Sequence, residues 1–229
     1  MNSIKQIEVI YNNRLVGRLA LTREGLCAFE YSAEWLSSGF SISPFELPLR
    51  SGVFIAKPRP FEGGFGVFDD CLPDGWGLLI LDRYLQQKGI NPRTLTLLDR
   101  LALVGSTGRG ALEFRPDNSV VTRQDFADFE KLALEAEKIL ASDDYMGEGI
   151  EEFQDRGGSP GGARPKIFVR YNDKEWLVKF RAKRDSQSIG VDEYRYSLLA
   201  KECGIEMPET RLFEGKYFGV ERFDRTLGG

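Results

Sequence analysis

Between Gly157 and Lys166 the chain reads Gly-Gly-Ser-Pro-Gly-Gly-Ala-Arg-Pro-Lys, with Gly157, Gly158, Gly161 and Gly162 close together. Such a run lets backbone amides approach a ligand and adopt conformations closed to other residues. After Lys166 come Ile-Phe-Val-Arg-Tyr, an Asn172-Asp173 turn and Glu-Trp-Leu-Val-Lys-Phe, which reads as a β-hairpin ending in Lys179. A lysine at that strand end reaches back over the glycine loop, where an ammonium suits phosphates. The helix expected next carries Asp192 and Glu193 in its first turn. Glu193 is the better candidate to hold Lys179 in place.

Two phosphate loops are excluded by spacing. A P-loop needs Lys and Ser or Thr directly after its last glycine, and Gly162 is followed by Ala163-Arg164. No register gives the G-x-G-x-x-G of a dinucleotide site, either here or in the second glycine-rich segment, Gly105-Ser-Thr-Gly-Arg-Gly110, which reads as a structural turn. What remains is kinase-like: a glycine loop, a strand ending Leu-Val-Lys, then a helix with an acid. Gly, Ser and Pro together also compose interdomain linkers, so that alternative stays open for the loop. Likewise Lys179 is alternatively a solvated strand-end lysine, and Glu193 an acid favoured by the helix dipole.

The 229 residues contain no histidine. This removes the commonest general base and metal ligand, and with them Ser-His triads and HRD-type catalytic loops. Glu148, Glu151, Glu152 and Asp155 are clustered acids, best read as a solvated face, so no metal ligands are assigned. A formal charge of −4 gives no net attraction to nucleic acid, and no apolar run spans a membrane. Cys27, Cys71 and Cys203 form no C-x-x-C and read as reduced core thiols of a cytoplasmic protein without a signal peptide.

The elements that must position these residues are legible as an α+β chain. Residues 4–31 alternate as an N-terminal β-meander, and Ser32 caps a helical turn. Residues 41–68 are Pro- and Gly-rich, with Phe45, Phe54, Phe61, Phe65 and Phe68 expected to plug a core, or alternatively, for some of them, to form a binding surface. Asp74 is placed to cap a helix running to Gly89, and Asn91-Pro92 to open another through Leu103. A further helix is expected from Thr122 to Leu140, and a short one before the glycine loop. The hairpin follows, then a helix over 191–203 with apolar residues at 191, 194, 198, 199 and 203, and a last hairpin. Loop, strand, strand, helix, strand, strand is the order of a protein-kinase small lobe.

Ser159-Pro-Gly-Gly-Ala-Arg-Pro-Lys166 resembles the signature loop of the HipA-like serine/threonine kinases, toxins of bacterial toxin–antitoxin pairs. Four other stretches agree in family order: Leu72-Pro-Asp-Gly-Trp76, Val104-Gly105 with Gly110-Ala-Leu-Glu-Phe114, Asp192-Glu-Tyr194, and Val220-Glu-Arg-Phe-Asp-Arg225. The resemblance implies a partner-interaction domain over residues 1–150 and a kinase-like small lobe over 151–229. It implies ATP and Mg2+ as cofactors, with Gly161, Gly162, Lys166, Lys179 and Glu193 around the nucleotide. Glu221 and Phe223 match the family's hinge, where backbone groups meet adenine. Ser159 matches a serine that the family autophosphorylates, although a turn serine bonding its own backbone reads the same way. Implied partners are a helix-turn-helix, HipB-like antitoxin, through which DNA is contacted indirectly, and a cytoplasmic protein substrate such as an aminoacyl-tRNA synthetase. No membrane partner is implied. The family keeps its catalytic and metal-binding residues in a larger C-terminal lobe. These 229 residues are therefore expected to be a fragment or a split protein, inactive in phosphotransfer or serving only to dock the antitoxin.

Overall fold

The computed structural model describes residues 4–108, 110–119, 127–142, 144–157 and 161–223. They form two compact units, and the class is α+β as expected. One unit takes Met1–Pro73 and Asn91–Val120, the other Asp74–Ile90 and Val121–Gly229. This partition cuts the chain differently from the division expected at residue 150, because the helix after Asp74 packs with elements far downstream.

In the first unit β1 (Gln6–Tyr11), β2 (Arg14–Leu21) and β3 (Cys27–Tyr31) form the expected antiparallel meander. Asn12 and Asn13 both have positive φ, which matches the twist of a two-residue hairpin. Ser32 caps α1 (Ala33–Ser38) by accepting the Trp35 N–H at 3.0 Å. The edge strands β4 (Val53–Ile55) and β5 (Leu112–Arg115) complete the order β4-β3-β2-β1-β5, and α2 (Gly66–Asp69) is a single turn.

Phe54, Phe65 and Phe68 lie in the core with Phe29, Trp35 and Phe114, but Phe45 is fully exposed, against expectation. The helix expected from Asn91 is broken. A 3-10 turn, Pro92–Thr94, is separated from the helix Leu97–Val104 because Leu95 and Thr96 are extended. Thr96 and Asp99 then build a capping box of their own. Gly105, at φ +51, leaves no room for a Cβ beside the Asp117 carboxylate, which accepts the N–H groups of Ser106 (3.0 Å) and Ser119 (2.9 Å). Asp117 thereby fixes the turn at Gly105 and Ser106.

In the second unit α3 (Gly75–Gln87) comes first; the Leu97–Val104 helix of the first unit is α4 in chain order. Next is α5 (Phe129–Ala141). It starts later than expected, since Ala127 and Asp128 are not helical and Asp128 is the cap, accepting the Lys131 N–H at 2.9 Å. Residues 121–126 of that expectation lie outside the described residues. The short helix before the loop is α6 (Gly149–Gly157), which absorbs the first glycine of the run.

The sheet follows: β6 (Lys166–Tyr171) and β7 (Lys174–Lys179) form a hairpin turned by Asn172 and Asp173 at positive φ. After α7 (Ile189–Glu202) come β8 (Thr210–Phe213) and β9 (Tyr217–Glu221), giving the order β6-β7-β9-β8. Trp76 and Phe153, with ring centroids 5.0 Å apart, tie α3 and α6 into one core with Phe129, Trp176 and Phe180.

The helix α7 is present as expected, but its apolar residues do not enter the core. Ser197 is its buried residue, whereas Tyr196, Leu198 and Leu199 are exposed. Small residues face the sheet instead. A Cβ on Gly190 would overlap the carbonyl oxygen of Lys216, and the Ser197 and Thr210 hydroxyls lie 2.8 Å apart. Cys203 is likewise exposed, at the end of this helix, while Cys27 and Cys71 are buried. Among the described residues, no helix is long and apolar enough to cross a membrane.

Candidate functional site

Hairpin register decides where the two lysines stand. Lys166, the first residue of β6, pairs with Lys179, the last of β7, at the open end of the hairpin. Their environments differ. Lys166 is buried, 4% exposed, and its ammonium donates to the Gly161 carbonyl. Lys179 keeps a third of its side chain accessible, 33%, and its Nζ lies 2.9 Å from Glu193 Oε2. The same ammonium stands 5.2 Å from the centre of the Phe218 ring. An ammonium has three donors, and Glu193 takes one. A half-exposed cation with its direction fixed by a carboxylate is suited to orient an anionic ligand.

Glu193 gets there because α7 seats its first turn closely. Gly190 lies against the backbone of Lys216 in the β8–β9 turn, and Ser188 Oγ donates to Asp192 at 2.7 Å. Asp192 thus serves the helix start, and Glu193 is left to face β7.

The described part of the glycine loop is fastened on both sides. Gly162, at φ +93, donates its N–H to Asp74 Oδ1 at 2.6 Å and accepts the Trp76 N–H at 3.0 Å. Arg164 makes a bidentate pair with Asp185, both bonds 2.8 Å. The Arg164 hydrogen bonds, helped by the Ala182 N–H, hold the Asp185 carboxyl at about 2 despite burial. A carboxylate depressed in the folded protein contributes stability above its unfolded value near 3.8, and that contribution disappears as pH falls toward about 2. Asp185→Asn should therefore flatten the acid limb of a stability–pH profile between about 4 and 2. A limb of unchanged steepness, read by fluorescence in denaturant, would show that the pair adds nothing.

Residues 7–115 match the family model of the HipA N-terminal domain, and residues 158–228 that of the HipA-like C-terminal domain. This chain belongs to the HipA family. HipA proteins are the toxin components of toxin–antitoxin pairs, generally paired with a HipB-type antitoxin. No curated protein matches the chain.

The HipA-like C-terminal match contains Lys166, Lys179, Glu193, Glu221 and Phe223, and only the first three gather near the loop. Glu221 pairs with Trp176 in the sheet, three residues along β7 from Lys179, or about 10 Å at strand rise. Its carboxylate is engaged by Lys174 at 2.9 Å, which also binds Glu209 at 2.8 Å, and the two carboxylates push the Lys174 ammonium above its usual range. The Glu221 N–H donates to the Glu209 carbonyl at 2.8 Å. Phe223 is 86% exposed. Ser159 lies outside the described residues. Arg164 and Lys166, the two cations that follow it in sequence, are engaged with Asp185 and the Gly161 carbonyl.

The acidic face on α6 carries ion pairs, Glu151 with Lys88 (2.9 Å) and Glu152 with Lys131 (3.0 Å). Among the described residues no group of three His, Cys, Asp or Glu side chains is arranged to hold a metal ion.

Three residues escaped the sequence reading. Asp74 looked like a helix cap, yet it makes no side-chain cap bond and reaches Gly162 instead. Its Leu-Pro-Asp-Gly-Trp context was the available signal. Asp185 and Gly190 carried none, since a turn aspartate and a helix glycine are common.

Proposed function

We propose that this chain is the nucleotide-binding portion of a HipA-like serine/threonine kinase toxin. In this reading it binds ATP with Mg2+ and serves phosphorylation of a cytoplasmic protein, a translation factor such as an aminoacyl-tRNA synthetase. The observation that supports it is the 2.9 Å pair between Lys179 and Glu193. In protein kinases a strand lysine held by a helix glutamate orients the nucleotide phosphates after a glycine-rich loop. Lys179 is here the phosphate-facing cation and Glu193 its positioning partner. Gly161 and Gly162 line the loop, Lys166 braces it through the Gly161 carbonyl, and the backbone near Glu221 and Phe223 lies where the adenine would meet the strand end.

The residues fit the phosphate portion of ATP: a half-exposed cation beside a loop whose glycine adopts φ +93. Bound ATP supplies the transferable phosphoryl group. No ligand of Mg2+ and no catalytic base is assigned to the described residues. Calorimetric titration with ATP tests the reading. Saturable binding at one site is expected, and absence of binding at millimolar ATP would refute it.

A second reading, docking of a HipB-type helix-turn-helix antitoxin and through it DNA, is favoured by the first unit. Phe45, Val53 and Ile55 are exposed there at 100%, 56% and 60%. If these residues form the docking surface, Phe45→Ser weakens antitoxin binding and leaves ATP binding unchanged.

A further inference from the structure

The peptide group of Gly162 is gripped by a segment 88 positions earlier in the chain. Asp74 accepts its N–H at 2.6 Å, and the N–H of Trp76 donates to its carbonyl at 3.0 Å. Between them Gly75, at φ +47, lies so close that a Cβ would stand 2.8 Å from the Gly162 carbonyl carbon and 2.9 Å from Ala163 Cα. The grip is itself anchored, because the Trp76 side chain is buried against Phe153 in the core of the second unit. Asp74 makes no cap bond to its own helix, so the loop contact is not a by-product of capping.

We propose that Asp74, Gly75 and Trp76 form a clamp that pre-orders the glycine loop for nucleotide, with Asp74 as its positioning residue. The inference rests on the nucleotide reading above and assigns the Leu-Pro-Asp-Gly-Trp motif a role in that site. A glycine loop is costly to order, because each glycine loses more conformational freedom than any other residue. Holding the Gly162 peptide beforehand removes part of that cost from ligand binding. It also commits the Gly162 N–H to protein, so phosphate is received by Lys179. The Asp74 carboxylate repels an incoming phosphate, but Asp74 is solvent-exposed and its field is screened. Pre-ordering is the larger effect.

Asp74→Ser is the informative variant. Serine remains a good N-cap, so the start of α3 is preserved, while its shorter side chain no longer reaches Gly162. Asp74→Asn keeps an acceptor oxygen at the same reach. Three forms of the full chain are compared by ATP titration, by thermal unfolding and by the amide proton shift of Gly162. For Asp74→Ser we expect the ATP dissociation constant to rise about tenfold, in the range of a lost charge-assisted hydrogen bond, and the Gly162 amide to lose its downfield shift. Asp74→Asn is expected to stay within about threefold of the original, with thermal stability similar in all three. Equal or tighter ATP binding by Asp74→Ser overturns the clamp and makes Asp74 a competitor of phosphate. If the unsubstituted chain binds no ATP, the nucleotide reading fails. The Gly162 shift then decides separately whether the clamp exists.

Discussion

Replacing Lys179 by methionine should weaken ATP binding by about 10- to 100-fold while leaving the fold intact. Methionine keeps the aliphatic stem that runs along the sheet and removes the ammonium that Glu193 aims. Losing a charge-assisted hydrogen bond to a ligand costs about 1.5–3 kcal/mol, and each 1.4 kcal/mol is tenfold in affinity. The fold should tolerate the change because the lysine is partly exposed and its partner, Glu193, is 23% exposed and can rehydrate. Equal affinity in the two proteins would make Lys179 an ordinary strand-end lysine. Glu193→Gln should give a smaller loss, since the amide still accepts from the ammonium but no longer fixes it by charge.

Gly190→Ala should destabilise the second unit by about 1–3 kcal/mol and weaken ATP binding at the same time. Helix propensity alone predicts the opposite sign, because alanine is favoured over glycine inside a helix by about 1 kcal/mol. The packing argument wins here, since the added methyl would overlap a backbone carbonyl, that of Lys216, which has no rotamer to escape into. The helix must then lift from the β8–β9 turn and carry Glu193 away from Lys179. Thermal unfolding and ATP titration of the same variant separate the accounts. Stabilisation with unchanged affinity would mean that α7 does not depend on this contact.

The hairpin and the helix after it were more legible in the sequence than the scaffold around them. Strand alternation and the Asn-Asp turn were enough to predict the hairpin, and the hairpin sets Lys179 across from Lys166. The first-turn acid of the next helix was equally legible, because the helix dipole favours an acid there. What failed were inferences from apolar spacing alone. The leucines and tyrosines of α7 have helical spacing, yet the helix turns Gly190 and Ser197 to the sheet, since small residues permit the closer approach. Phe45 looked like core and is solvent-exposed, because a loop phenylalanine has no periodicity to place it. The helix from Asn91 broke at Leu95 and Thr96, where a capping box competed with continuation.

The least legible feature was long-range pairing. Asp74 and Gly162 are far apart in sequence, and a preferred N-cap residue at a helix start satisfies every local rule without further explanation. Asp185 was similarly hidden in a turn, although its bidentate pair with Arg164 fixes the far side of the loop. Such contacts follow from the tertiary fold, and local propensity carries no trace of them. The division into units shows the same limit, since α3 lies within the N-terminal domain match and packs with α6.

Covalent labelling with a lysine-reactive acyl phosphate of ATP tests the central claim most directly. A lysine beside the bound phosphates, once it has given up a proton to solvent, attacks the acyl carbon as a neutral amine; the acyl–phosphate bond breaks, ATP leaves, and peptide mass spectrometry identifies the lysine that carries the amide. Among the lysines of this chain, Lys179 should carry the adduct, with excess ATP protecting it and the buried Lys166 left unmodified. Labelling spread over surface lysines without protection by ATP, or an ATP-protected adduct at any lysine other than Lys179, would contradict the account.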